Sequence, residues 1–154
     1  ADIIIVDTGA GLGRNVMDFI LAADEVLLVT TPEPTSLTDA YAVMKAYSIY
    51  AVQKNLRLII NRVYEPKESR EVMAKLECAA EKFLHMPVAC LGYVFEDSAV
   101  TKAVRRQTPI IEAEPGSAAA RCIEALAKAL VTGTEMKVQR GWKGFLQQIF
   151  KFST

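Results

Sequence analysis

The run Ile3-Ile4-Ile5-Val6 is apolar without a break, and it constrains the fold more than any other stretch. A strand with one wet face alternates apolar and polar residues. An unbroken run belongs to a strand covered on both faces, as in a parallel sheet. Related apolar runs return at Val26-Leu27-Leu28-Val29, at Leu56 to Ile60 and at Cys90 to Phe95. Between them lie stretches of helical period. Leu12 to Ala23 gathers Val16, Phe19, Ile20 and Ala23 on one face. Further helices are predicted from a cap at Thr35 or Ser36 to about Val52, from Lys67 to Leu84, from Asp97 to Arg106, and from Pro115-Gly116-Ser117 to Val131. Strands that alternate with helices build βαβ units, so the expected class is α/β, a parallel sheet flanked by helices.

The 154 residues suit one domain with a substantial core, and 51% of them are apolar. A formal charge of zero gives no sign of a nucleic-acid partner. Cys78, Cys90 and Cys122 are odd in number, widely spaced and outside any CxxC pattern. They read as reduced thiols of a cytosolic protein rather than as zinc ligands or a disulfide framework. The chain starts without Met, two residues before a strand pattern, as expected of a piece whose upstream part is absent. Thr132-Gly133-Thr134 reads as a linker that divides residues 1–132 from 133–154. Beyond Glu135 there is no acid, yet Lys137, Arg140, Lys143 and Lys151 are basic. There Val138, Trp142, Phe145, Leu146, Ile149 and Phe150 recur at spacings of three and four, forming one apolar stripe if the segment is helical. Such a C-terminal amphipathic helix suits the membrane interface and is too short to span a bilayer. The plainer reading is a helix packed on its own domain.

Four strand ends carry polar groups: Asp7-Thr8, Thr30-Thr31, Asn61-Arg62 and Glu96-Asp97. In a parallel sheet all four lie at the carboxyl edge, where ligands of open α/β folds bind. An aspartate there can hold a metal through water. Backbone N–H groups near Ala10 and Gly11 can face a terminal phosphate, and an amide such as Asn61 can donate to and accept from a purine edge. The plainer readings are that Asp7 caps a helix, that the glycines make a tight turn, and that strand ends are polar because they reach water. No GxxxxGK[ST] loop is present, and the spacing of Gly9, Gly11 and Gly13 is weak support for a dinucleotide fingerprint. His85 and Arg105-Arg106 read best as helix-end residues, and Tyr41, Tyr47 and Tyr50 as packing residues.

Asp7-Thr8-Gly9-Ala10-Gly11-Leu12-Gly13-Arg14-Asn15 resembles the switch II motif of the MinD/ParA family of deviant Walker A ATPases. Thr30-Thr31-Pro32-Glu33-Pro34 through Tyr41, Ile59-Ile60-Asn61-Arg62-Val63, Leu91 to Val94 with Asp97, and Ala103 to Pro109 continue the resemblance in order. The set is most similar to the flagellar-number regulator branch (FlhG/YlxH). The resemblance implies the C-terminal part of a P-loop ATPase domain that uses ATP and Mg2+. It implies that Asp7 is catalytic and supports the metal through water, that Gly11 lies near the γ-phosphate, and that Asn61 and Arg62 lie beside the adenine. Glu33 would sit near the interface of an ATP-dependent homodimer. The family's phosphate loop with its two lysines lies upstream of switch II, so this segment alone is expected not to hydrolyse ATP. The implied protein is cytoplasmic and peripheral on the inner face of the cell membrane. It would be held on anionic lipid by the apolar stripe with Lys143, and would work with proteins of the flagellar or division machinery. The competing reading is a non-enzymatic α/β interaction domain of receiver type. A receiver needs a lysine at its last strand end, where this chain has Glu96-Asp97.

Overall fold

The computed structural model describes residues 3–50 and 55–133. Helix α1 (Arg14–Ala22) precedes strand β1 (Glu25–Thr30), helix α2 (Pro34–Tyr50) and strand β2 (Asn55–Val63). Helix α3 (Pro66–Ala79) follows, then strand β3 (Ala89–Phe95) and helices α4 (Ser98–Arg105), α5 (Ile110–Ala113) and α6 (Ala118–Thr132). The strands form one sheet in the order β1-β2-β3, parallel throughout. Parallel neighbours need a crossover, and the helices between the strands supply it.

Each face of the sheet buries its own cluster. On one side Ile20, Met44, Tyr47, Val72, Met73 and Leu76 pack on Val26, Leu56, Leu58, Ile60 and Tyr93. On the other, Ala119, Cys122, Leu126 and Ala129 of α6 pack on Leu91 and Val94, with Leu27 and Ile59 against them. Small residues along α6 let the helix lie close to the strands. Met44, Leu58 and Ile60 are wholly buried, each contributing about 1.5–3 kcal/mol of transfer free energy.

The helix ends follow from local chemistry. Pro66 opens α3 at a position where its missing N–H costs nothing. Past Ala79 the helix widens into a π turn over Ala80–Leu84, closed by His85 at φ 51°. Gly133, at φ 64°, ends α6 in the left-handed conformation that glycine tolerates best. Asp97 caps two helices at once: one oxygen accepts from Ala99 N at 2.9 Å, the other from Ala119 N at 3.2 Å. The N–H of Ala99 first, with those of Ala119 and Ala118, holds its carboxyl below the usual carboxylate range against the opposing pull of burial. A depressed acid stabilises the fold above its unfolded pKa, near 3.9, and loses that contribution as pH falls through the folded value. Asp97→Ala is therefore expected to cost about 0.5–2 kcal/mol at pH 7. The gap to wild type should begin to narrow only as pH falls below about 4 and go on narrowing through the lower folded value, as read by urea melts across pH.

Several sequence expectations are corrected. Ile3, Ile4, Ile5 and Val6 form no strand and are 56, 81, 80 and 54% exposed. An apolar run becomes a strand only beside a partner that takes its N–H and C=O groups, and none of the described strands pairs with it. Phe19 is 53% exposed, and Met17 joins Val16 and Ala23 against the core in its place. Neither Thr35 nor Ser36 caps α2, which already begins at Pro34. Strand β2 continues through Asn61 and Arg62 to Val63. In β3, Leu58 pairs with Cys90 but Ile59 with Gly92, so Leu91 is an extra residue at a bulge. The extra residue reverses the alternation, so that Leu91 meets the α6 side while Tyr93 meets the other. The linker from Thr134 onward and the tail positions Val138, Trp142, Lys143, Phe145, Leu146, Ile149 and Phe150 lie outside the described residues.

Candidate functional site

At the carboxyl edge the β2–β3 ladder breaks register a second time. Ile60 pairs with Tyr93 and Val63 with Phe95, leaving two residues of β2 opposite one of β3. Those two are Asn61 and Arg62. Arg62 has φ 59°, a left-handed conformation uncommon for a bulky side chain. A bulge of this kind re-aims side chains at the rim of a sheet. The Arg62 guanidinium reaches both neighbouring strand ends: Nε donates to Glu96 Oε2 at 2.6 Å, and Nη1 to Glu33 Oε1 at 3.4 Å. The hydrogen bond and charge of Glu96, followed by the charge of Glu33, push the Arg62 pKa still further up. Asn61 Oδ1 accepts from Arg62 N at 2.9 Å, which leaves the amide NH2 as the group to meet a ligand.

The loop after β1 is fastened from below. Thr30, only 2% exposed, lies 2.9 Å from the Ser36 hydroxyl and donates to Ser36 O at 3.1 Å. The Ser36 hydroxyl in turn accepts from Thr31 N at 3.0 Å. Glu33 N donates to Thr31 Oγ1 at 3.4 Å. Arg62, Glu33 and Glu96 are thus brought together across three strand ends, with Asn61 beside them. Sequence reasoning marked the strand ends as convergent but missed Ser36 as the tie beneath the loop and Glu96 as the main partner of Arg62. The one available signal was an Arg between two acids that close successive strand–loop units.

Asp7 and Gly11 are not tied into this cluster. Both are exposed, and among the described residues no hydrogen bond or ion pair joins either to Asn61, Arg62 or Glu33. Gly11 has φ 103°, and nothing lies within 4 Å of where a Cβ would stand. Among the described residues a cavity of about 460 Å3 is lined by Tyr64, Glu65, Pro66, Lys67, Arg70 and Phe95. Among the described residues no group of three or more His, Cys, Asp or Glu could hold a metal. Magnesium in nucleotide sites takes one or two carboxylates, with phosphates and water for the rest, and a single open carboxylate such as Asp7 fits that demand. The three cysteines are free. Burial pushes the Cys90 thiol up to about 11, so it stays protonated and unreactive at neutral pH.

No family model matches the chain. Among curated proteins it is similar to the antiactivator FleN of Pseudomonas aeruginosa, with 39% identity over 82% of this chain and 45% of FleN. It is also similar to the flagellum site-determining protein YlxH of Helicobacter pylori, with 33% identity over 98% of this chain and 52% of that protein. Among solved structures it superimposes on the cell division ATPase MinD of Pyrococcus furiosus, with TM-score 0.62 and 25% identity over 82% of this chain and 50% of that one. The septum site-determining MinD of Pyrococcus horikoshii, solved with Mg-ADP, gives TM-score 0.60 and 25% identity over 86% of this chain and 52% of that one. The chain spans about half the length of the relatives it matches. Its helix-flanked parallel sheet matches the MinD fold.

Proposed function

Because this chain is a MinD/ParA-type sequence, most similar to the flagellar-number regulator branch, we propose that it is part of a cytoplasmic ATPase. Binding of ATP and Mg2+ switches that ATPase between a free state and a homodimer at the inner face of the cell membrane. The switch regulates flagellar number or placement, or the division site. One observation carries the reading: a bulge in β2 presents Asn61 and Arg62 at the carboxyl edge, directly against the Glu33 loop.

In this proposal the exposed Asp7 carboxylate orders the water shell of the metal, and the Gly11 turn offers backbone N–H groups to the terminal phosphate. The NH2 of Asn61 meets a purine acceptor, and Arg62 borders the base. Glu33 lies where two copies meet. Bound Mg2+ supplies neutralisation of the phosphate oxygens. Phosphoryl transfer rests almost wholly on positioning, so residues 1–154 alone are expected to turn over no ATP.

The tail, with Val138, Trp142, Phe145, Leu146, Ile149, Phe150 and Lys143, is the proposed membrane anchor. Each basic residue near an anionic surface adds roughly 1 kcal/mol, and each large apolar side chain at most about 1.5–3 kcal/mol. Ordering the helix offsets much of that, so one tail binds reversibly while two tails in a dimer gain by avidity. Intact protein is expected to co-sediment with anionic liposomes in ATP and to stay in the supernatant once residues 136–154 are removed. Unchanged sedimentation after removal would make the tail a structural element.

A further inference from the structure

Arg62 is already satisfied. Its side chain is shared between Glu96 on β3 and Glu33 on the loop after β1, and these two contacts differ in kind. The Glu96 contact is short, 2.6 Å, and its carboxylate side chain is 29% exposed. The Glu33 contact is 3.4 Å, with both side chains more than half exposed. Glu96 is therefore the anchor and Glu33 the arm that exchanges, since exposed ion pairs are readily given up to a competing charge. Resting on the nucleotide-switch reading, we propose that the Arg62–Glu33 contact is a latch. It keeps the loop after β1 folded in towards the carboxyl edge until the base of a bound nucleotide, stacking on the guanidinium, draws Arg62 away, and its opening frees the Glu33 carboxylate to face a second copy.

The parts fit such a device. Arg62 sits on a two-against-one bulge at φ 59°, so its direction is set by the backbone and held by Glu96 while the Glu33 arm comes and goes. The loop itself is tied below Glu33 through Thr31 N to the Ser36 hydroxyl, with Thr30 against the same hydroxyl. Release therefore moves Glu33 and its immediate neighbours and leaves β1 and α2 in register. One residue then couples two sites: whatever draws Arg62 towards a ligand raises the availability of Glu33, and by linkage whatever engages Glu33 raises the affinity for that ligand. A device built on an exposed pair is shallow, so its coupling is a few-fold bias rather than an all-or-none switch.

The two acids have opposite expected effects, which a merely structural ion-pair network does not produce. In the intact protein, Glu33→Gln removes the competitor of the ligand and is expected to tighten Mg·ADP binding by about two- to fivefold. Glu96→Gln removes the anchor of Arg62 and is expected to weaken that binding. Glu71→Gln, in the exposed Lys67–Glu71 pair on α3, is the control that changes neither. Calorimetry with Mg·ADP reads the affinities. Hydrogen exchange over residues 31–35 reads the latch directly, and exchange should rise in nucleotide-free Glu33→Gln and equally in wild type on adding Mg·ADP. Unchanged or weaker binding by Glu33→Gln, a shift of both variants in one direction, or unaltered exchange on nucleotide binding overturns the latch alone. Folded wild type that binds no Mg·ADP overturns the nucleotide reading, and the latch with it.

Discussion

Asp7→Ala in the intact protein is expected to lower ATP turnover at least about a hundredfold, the scale at which one charge-stabilising group drops out of a transition state, while the melting temperature stays at the wild-type value. The two halves of this expectation have separate grounds. The loss follows from the proposed role of the carboxylate in ordering metal-bound water. The unchanged melting temperature follows from the described structure: Asp7 is exposed and makes no hydrogen bond or ion pair among the described residues. Helix α1 begins at Arg14 with Gly13 as its cap position, six residues past Asp7. A capping aspartate would show the reverse pattern, with stability lost and turnover kept. Steady-state turnover and a thermal melt on the same sample separate the two, and unaltered turnover would return Asp7 to the chemistry of an ordinary turn.

The largest effect on stability is expected at Leu58. It sits in the central strand, wholly buried, between helices α2 and α3 on one side and the flanking strands. Leu58→Ala removes the side chain where neighbours on three sides are held by the sheet and cannot close in, so the cost is about 2–5 kcal/mol. Against a total stability of roughly 5–15 kcal/mol, that lowers the melting temperature by about 5–15 °C. Val131→Ala, at a position 68% exposed near the end of α6, should change stability by less than about 0.5 kcal/mol. Equal melts for the two variants would mean that the core is not organised around β2.

The alternation of apolar runs with helical period made the parallel layers legible, because a parallel ladder buries both faces and leaves its mark in composition. Asp97 was legible as a helix start, since a short acid before Ser98-Ala99 is a cap by chemistry alone. Its second role, on α6, depends on a contact 22 positions away that no local pattern encodes. Asn61 and Arg62 were legible as residues of the edge and not as a bulge, because a left-handed arginine leaves no trace in spacing. The run at residues 3–6 was misleading for a physical reason: its composition reports that it is made to be covered, and composition cannot say by which chain. Phe19 misled because one helical face spans more residues than the neighbouring elements cover.

The two breaks in the β2–β3 ladder bear on how the chain finds its pairing during folding. Runs as uniform as Val-Leu-Leu-Val offer nearly equal alignments two residues apart, with every side chain still facing the same way. Between β2 and β3 such a slip has to carry an extra Leu91 and the Asn61-Arg62 pair to places where neither fits, so the wrong alignments are penalised twice. Between β1 and β2 the pairing from Glu25 with Asn55 to Thr30 with Ile60 is unbroken, and no such penalty exists. There a charge helps to fix the alignment: Glu25 meets the Arg57 guanidinium two positions along the partner strand at 2.5 Å. That charged contact at one end of β1, with buried Thr30 held to Ser36 at the other, favours the native alignment over its near-degenerate competitors.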